Sequence, residues 1–296
     1  MARPGFTPDP ALYPFESRWF DHPIGPVHYL DEGEGPPLLL LHGNPTWSFL
    51  YRGIVIRLRK HFRCIAPDLP GFGLSARPSA YGYTPGDHAR VVGDLVRDLD
   101  LRGLTIMGQD WGGPIGLRVA ADERPRMRAL VMGNTWFWPS EGRAMNAFGY
   151  VMGSAPVQSL LRSRAVFVDR LLPLGVLHPL APEVLDHYRQ PQVEALGREG
   201  AAEFARQVMA ARPWLSDLED DVERVLSDLP LLLTWGTRDP LFPVSLIDRF
   251  RVVFDRVSVE RLEARHFIQE DAPAEISRAI AAFLDPATAN PGPANV

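Results

Sequence analysis

Asp110 stands at the centre of segment 108–113, GQDWGG, directly after the apolar run 104–107. A strand, a sharp glycine-flanked turn and a helix form a nucleophile elbow, in which the central side chain projects into a pocket. Serine usually occupies this position, whereas a carboxylate would attack carbon and form an ester. Alternatively, Asp110 is the N-cap of the helix that follows, a position that aspartate favours. The motif alone leaves both interpretations open.

Two further chemical groups follow later strands. Asp239 comes just after the apolar run 231–235, and His266 comes shortly after the predicted strand 257–262. Taken separately, Asp239 suits a turn before Pro240, and His266 is one of eight histidines. Together with Asp110 they occur in the chain order nucleophile, acid, histidine, which is that of the triad in α/β hydrolases. This joint placement predicts a triad with Asp110 as nucleophile, His266 as general base and Asp239 orienting His266.

The elements around these residues predict an α/β fold. Short apolar runs alternate with helix-period segments, so we expect a mostly parallel central sheet with flanking helices and an inserted helical cap. The predicted strands are 16–20, 26–30, 38–41, 62–66, 104–107, 129–132, 231–235 and 257–262, and the helices 47–60, 87–99, 112–121 and 273–284. Between the predicted strands 129–132 and 231–235, prolines interrupt helical pieces, which indicates a helical insertion. We therefore predict an α/β-hydrolase core at 1–135 and 215–284, a cap at 136–214 and a disordered tail at 285–296.

Segment 42–45, HGNP, follows directly after the third predicted strand, 38–41. In such a fold, backbone N–H groups at this place and after the nucleophile form an oxyanion hole, which assigns that role to the N–H groups of Asn44 and Trp111. We interpret His42 as structural. The pair Gly71 and Gly73 lacks the third glycine and the acidic partner of a dinucleotide site. No organic cofactor is therefore expected.

Composition excludes several classes of partner. The chain has 296 residues, of which 46% are hydrophobic, and a formal net charge of −5, with no basic tract. Nucleic acid is accordingly not an expected partner. The single cysteine, Cys64, precludes an internal disulfide or a cysteine-ligated zinc site, and no metal is expected. No segment has the length of a membrane span and the N-terminus lacks a leader pattern, so we expect a cytoplasmic protein that binds no membrane.

The motifs at 42–52, 68–75 and 108–113 together resemble the haloalkane dehalogenase family, and the resemblance spans nearly the whole chain. It implies that two side-chain N–H donors hold the departing halide, here the indole of Trp111 and the amide of Asn44. Such donors in an apolar pocket stabilise an anion that gains charge in the transition state. The partners implied are a small apolar halogenated substrate and a halide ion.

The resemblance also implies which carboxylate serves His266, because the family draws this acid from either of two strand ends. At the first of these, the chain has the neutral Asn134, so Asp239 is the expected acid. The mechanism implied has two steps. Asp110 displaces halide to form an alkyl ester, and His266 then activates water to hydrolyse that ester. No metal or organic cofactor takes part.

Two other functions stay open at this point. An epoxide hydrolase would use the same Asp110 with acidic tyrosines from the cap, for which Tyr150 and Tyr188 are candidates, although both also suit packing roles. A non-catalytic relative that only binds a ligand is the second, because fold alone does not establish activity. Cap aromatics are candidate cavity walls: Trp136, Phe137, Trp138, Phe148, Phe167 and Phe204. The preferred haloalkane and the oligomeric state do not follow from the sequence.

Overall fold

The computed structural model describes residues 5–285 and contains an eight-stranded sheet. The strands are β1 (Arg18–His22), β2 (Gly25–Glu32), β3 (Pro37–Leu41), β4 (Arg63–Pro67), β5 (Leu104–Gln109), β6 (Met127–Gly133), β7 (Leu231–Gly236) and β8 (Val257–Leu262). Their spatial order is β1-β2-β4-β3-β5-β6-β7-β8. The pairs β1/β2 and β2/β4 are antiparallel, and the other five are parallel. The predicted mostly parallel sheet is confirmed.

The helices lie between and after these strands. They are α1 (Arg52–Leu58), α2 (Pro85–Asp98), α3 (Gly112–Asp122), α4 (Arg143–Gly153), α5 (Ala155–Ser163), α6 (Pro182–Arg189), α7 (Glu199–Ala210), α8 (Arg212–Val225), α9 (Leu246–Val253), α10 (Ile268–Asp271) and α11 (Pro273–Leu284). The helix predicted at 47–60 is shorter than expected, because residues 48–51 form a 3-10 turn and α1 ends at Leu58. The other predicted helices agree within two residues.

Two apolar cores cover the two faces of the sheet. Along β3, Leu39 and Leu41 belong to one core while Leu38 and Leu40 belong to the other, as the period of two along a strand requires. Helices α2, α3, α8 and α9 pack on the first face, and α1 and α11 pack on the second. Burial on both faces explains why β3 is apolar without alternation.

The chain between β6 and β7 forms a helical insertion, α4 to α8, with no strand among its described residues. Helices α4 and α5 pack on α7, whereas α8 packs on α3 of the flanking layer. The boundary expected between residues 214 and 215 falls inside α8, which is one continuous helix. The tail expected at 285–296 lies outside the described residues except for Asp285.

Strand register places the ends of the parallel strands at one edge. Leu41 pairs with Gly108, Gln109 pairs with Gly133, and Gly236 pairs with Leu262. Each strand therefore stops at nearly the same level, and the loops that follow converge. These loops carry Asn44, Asp110, Asp239 and His266.

Candidate active site

Asp110 occupies a sharp turn between β5 and α3. Its φ of 53° lies in the left-handed region, which non-glycine residues seldom adopt. Glycines make this turn possible, since a Cβ at Gly108 would collide with the carbonyl of Gly112, and a Cβ at Gly112 would collide with that of Leu41. The hydroxyl of Thr135 donates to the Asp110 carbonyl at 2.7 Å and braces the turn. The backbone thus holds strain where the side chain must project.

The helix-cap interpretation of Asp110 is wrong. The residue that precedes α3 is Trp111, and no side chain caps this helix. Instead, the Asp110 carboxylate accepts a hydrogen bond from the backbone N–H of Asn44 at 2.7 Å through Oδ1, and the backbone N–H groups of Asn44 and Trp111 both act to lower its pKa. The two N–H groups predicted for an oxyanion hole therefore converge on this carboxylate.

His266 lies between the two aspartates. Its Nδ1 is 2.8 Å from Asp239 Oδ2, and its Nε2 is 3.6 Å from Asp110 Oδ2. The first distance is a hydrogen bond and the second is too long for one. The imidazole is consequently tied to Asp239 on one side and faces the Asp110 carboxylate on the other, so the structure brings the three predicted triad residues together.

Asp239 is held by more than the histidine. The N–H groups of Leu241 and Phe242 donate to its Oδ1 at 2.8 and 3.2 Å, and the Asn134 amide donates to its Oδ2 at 2.8 Å. Burial alone would raise the pKa of this fully buried carboxyl, but the charge of His266 and these donors outweigh burial and lower it. Asp239 is therefore a carboxylate at neutral pH.

The pKa values of Asp110 and His266 shift in the opposite direction, upward. Burial raises the pKa of Asp110 above the ordinary aspartate value, although His266 and the N–H groups of Asn44 and Trp111 oppose this shift. Burial would lower the pKa of His266, but the charge and hydrogen bond of Asp239, and then the charge of Asp110, raise it overall. The carboxylate of Asp110 is thus weakly hydrated, which favours nucleophilic attack.

A cavity of about 270 Å³ opens above Asp110. Its walls are mostly apolar, and Asp110, Asp239 and His266 reach it from the strand ends. The predicted wall residues that do line it are Trp136, Phe148, Phe167 and Phe204, joined by Met145, Leu171, Leu172, Leu174, Val208, Leu241, Phe242 and Phe267. An apolar cavity with few polar groups suits a small apolar ligand.

Two of the aromatic residues expected in the walls are elsewhere. The rings of Phe137 and Trp138 pack against Phe250 of α9, at centroid distances of 5.2 and 5.4 Å. The chain turns away from the cavity directly after Trp136, so these two rings extend the flanking core. A run of adjacent aromatics in sequence did not distinguish the ring facing the cavity from its neighbours.

Trp111 and Asn44 both line the cavity. The Trp111 indole is stacked on Phe204 and is met edge-on by Trp136. The Asn44 amide donates to the carbonyl of Ala201 in α7 at 3.1 Å. Because a carbonyl only accepts, this bond orients the amide, and one N–H of Asn44 remains for a ligand.

The two tyrosines expected in an epoxide hydrolase do not reach this cavity. Tyr150 is 68% exposed on α4, and Tyr188 is buried against Glu270, to which its hydroxyl donates. Burial and the charge of Glu270 raise the pKa of Tyr188 well above the ordinary value, which makes it a poor acid. Neither Tyr150 nor Tyr188 lines the cavity, so the alternative of an epoxide hydrolase lacks the acids that it would need from the cap.

Sequence reasoning missed two polar neighbours of the triad. Asn134 was noted only as a neutral residue at a second acid position, yet its amide bonds Asp239 and its Oδ1 accepts from the N–H of Gly236 at 2.7 Å. Gln109 belongs to the 108–113 motif, where no role is predicted for it, although its amide contacts His266. Its position next to the nucleophile was the only available signal.

Within residues 5–285, no group of three or more His, Cys, Asp or Glu side chains is arranged to hold a metal ion. In the same part of the chain, no helix has both the length and the apolar character needed to cross a membrane.

Fold and site together define an α/β hydrolase, and residues 36–273 match the family described as alpha/beta hydrolase fold. Haloalkane dehalogenase 2 of Mycobacterium tuberculosis (strain H37Rv) is 54% identical over 277 residues, which is 93% of this chain and 97% of that protein. The haloalkane dehalogenase of Mycobacterium marinum is 33% identical over 93% of this chain and 97% of its own length. The crystal structure of haloalkane dehalogenase DatA from Agrobacterium tumefaciens C58 is 27% identical, with a TM-score of 0.84 over 94% of this chain and 99% of that one. The chain therefore belongs to the haloalkane dehalogenase family within the α/β-hydrolase superfamily.

Proposed function

We propose that this chain hydrolyses the carbon–halogen bond of small haloalkanes to an alcohol, a halide ion and a proton, through an alkyl ester on Asp110. The observation that carries the proposal is the Asp110 carboxylate at the elbow, below an apolar cavity and facing His266 at 3.6 Å. An ester at this position can be cleaved at its own carbonyl carbon, whereas an ether formed by a serine could not be. A carboxylate nucleophile therefore suits substrates with an sp³ carbon.

In the first step, Asp110 Oδ2 attacks the carbon that bears the halogen. Oδ1 is held by the Asn44 N–H at 2.7 Å, so Oδ2 is the oxygen left for attack. The leaving halide gains charge as the bond breaks, and the indole N–H of Trp111 and the free amide N–H of Asn44 receive it. Donors fixed in an apolar wall stabilise this charge more than they stabilise the neutral substrate.

In the second step, His266 removes a proton from water, and the water oxygen attacks the ester carbonyl carbon. Asp239 holds the proton of His266 on Nδ1, which leaves the Nε2 lone pair free to act as base. The carbonyl oxygen that becomes the oxyanion is Oδ1, already bonded by the N–H of Asn44. Collapse releases the alcohol and restores the Asp110 carboxylate.

The helical insertion completes the site as a cap over the strand ends, in the region expected at 136–214. Phe204 of α7 stacks on Trp111, and the carbonyl of Ala201 accepts from the Asn44 amide. Both contacts join the insertion to a residue assigned to halide binding. Cap and core therefore build the halide pocket jointly.

A panel of substrates tests the proposal. We expect halide release from 1-bromoalkanes of graded length, with no diol formed from styrene oxide, because no tyrosine of the described chain lines the cavity. Halide is followed by ion chromatography and diol by gas chromatography. Diol formation without halide release would favour epoxide hydrolysis, and neither product would favour a protein that only binds ligands.

The Trp111 indole gives a matched test of halide binding. We expect Trp111→Phe to lower the rate of halide release by about 10²-fold, as the loss of one preorganised donor does in other enzymes. Trp136→Phe removes an indole from the same wall, but not the one that follows the nucleophile, and its effect should be far smaller. Pre-steady-state halide release measures both variants, and equal losses would contradict the assignment of Trp111.

The two steps should also differ in their dependence on pH. His266 must be neutral to act as base, and the Asp110 charge contributes to its raised pKa in the free protein. Esterification removes that charge, so the pKa of His266 falls in the intermediate. As pH decreases, ester hydrolysis should therefore fail at a lower pH than the pKa of His266 in the free protein. Ester decay followed by mass spectrometry, compared with a ¹⁵N NMR titration of His266, tests this order, and a hydrolysis limb above the free-protein pKa would contradict it.

A further inference from the structure

Gln109 is the last residue of β5 and is fully buried next to the nucleophile. Its Nε2 lies 3.1 Å from His266 Nε2 and 3.0 Å from the His266 carbonyl oxygen. The carbonyl can only accept, so the NH₂ end of the amide must face His266 and the orientation of Gln109 is determined. One N–H of Gln109 points to the His266 backbone and the other to the ring.

This second N–H determines which nitrogen of the His266 ring carries the proton. A neutral imidazole with its proton on Nδ1 presents a lone pair at Nε2, which can accept from Gln109. Asp239 requires the proton on Nδ1 from the opposite side of the ring. Gln109 and Asp239 therefore select the same tautomer of His266 from both ends.

If Nε2 of His266 were protonated, its N–H and the N–H of Gln109 would face each other as two donors with no acceptor between them. The Gln109 amide cannot turn over to accept from the imidazolium, because its Oε1 would then face the His266 carbonyl. That Oε1 is buried and has no hydrogen-bond partner in the described chain. Gln109 thus disfavours the charged form of His266 and limits rotation of the ring.

We propose that Gln109 is a positioning residue that orients the His266 ring and keeps its Nε2 as a base for the water that cleaves the ester. The inference rests on the two-step hydrolysis proposed above. The 3.1 Å contact is a hydrogen bond of ordinary length between two uncharged groups, so an arriving water can replace it without a large cost. Attack by Asp110 requires no base, and so the first step does not depend on Gln109.

Gln109→Met, which keeps the length of the side chain but removes both donors, tests this role. We expect ester hydrolysis at neutral pH to slow by about tenfold, the factor that one hydrogen bond of ordinary strength supplies. The low-pH limb of that step should move upward by about one pH unit. Halide release in the first turnover should change by less than about twofold.

Gln109→Glu keeps the shape of the side chain and replaces a donor by a carboxylate that accepts from the imidazolium. The low-pH limb of ester hydrolysis in this variant should therefore move to a higher pH than in Gln109→Met. This variant carries the test if Gln109→Met does not fold. Gln269→Leu is the control, because Gln269 is also buried but its amide bonds neither His266 nor Asp239 in the described chain. Its limb should stay in place.

The outcomes separate the two proposals. If the unmodified protein releases no halide from any bromoalkane, the proposed function fails and Gln109 is irrelevant to it. If the unmodified protein is active and both Gln109 variants keep its low-pH limb, the positioning role is overturned. An equal slowing of halide release and ester hydrolysis, with no shift in the limb, would likewise overturn it, since that result indicates only general damage to the site.

Discussion

Replacing Asp110 with alanine should abolish halide release, with a loss of about 10⁵-fold or more, the size seen when other hydrolases lose their nucleophile. In the proposed mechanism both steps pass through this carboxylate, which attacks carbon and then carries the ester. The fold should tolerate the change, because burial raises the pKa of Asp110 and its ionised form therefore disfavours the folded state at neutral pH. Halide release and the thermal unfolding midpoint measure the two effects.

Asp68 is the matched control for this prediction. It also follows a strand and is fully buried, but it bonds His28 Nδ1 at 2.8 Å and the backbone N–H of Ser48 at 2.7 Å. Asp68→Ala leaves these groups unpaired and should destabilise the protein by about 3–5 kcal/mol. Turnover by Asp110→Ala would contradict a chemical role for Asp110, and a stability loss as large as that of Asp68→Ala would contradict the expected tolerance of the fold.

Replacing His266 with phenylalanine should stop turnover without stopping the first step. The variant should release close to one halide per protein molecule and then no more, because Asp110 attacks without a base but water needs one. Folding should persist, since Phe242 stacks on the ring at this position and Asp239 keeps its bonds from Asn134, Leu241 and Phe242. Rapid-mixing measurement of halide gives the amplitude of the burst.

His187 supplies the control for His266. It stacks on Phe49 at a centroid distance of 4.9 Å and does not line the cavity. His187→Phe should turn over many substrates per molecule at close to the unmodified rate. Continued turnover by His266→Phe would show that another group activates the water.

The placement of the site could be predicted from sequence because strand ends carry it. Glycines on both sides of Asp110 indicated a sharp turn. Asp239 and His266 each follow a predicted strand whose ends are well defined in the sequence. Parallel strands in register bring such ends together, so Asp110, Asp239 and His266 are neighbours although Asp110 lies more than a hundred residues before the other two. The same logic placed the backbone donors of Asn44 and Trp111.

The sequence could not predict which side chains of the helical insertion face the cavity. Helices there are joined by irregular turns, and neither Tyr150 nor Tyr188 carried a signal of the face it would occupy. Trp136 faces the cavity while Phe137 and Trp138 pack on Phe250, a difference decided by where the chain bends. These contacts are set by tertiary packing, which a local pattern does not encode.

The covalent ester on Asp110 is the central claim, and intact mass spectrometry of His266→Phe tests it most directly. After exposure to 1,2-dibromoethane, the variant should gain the mass of one bromoethyl group, and peptide mapping should place it on Asp110. Asp110→Ala combined with His266→Phe should gain nothing under the same conditions. A His266→Phe protein that releases halide yet keeps its original mass, or stays unmodified after long exposure, would contradict the mechanism.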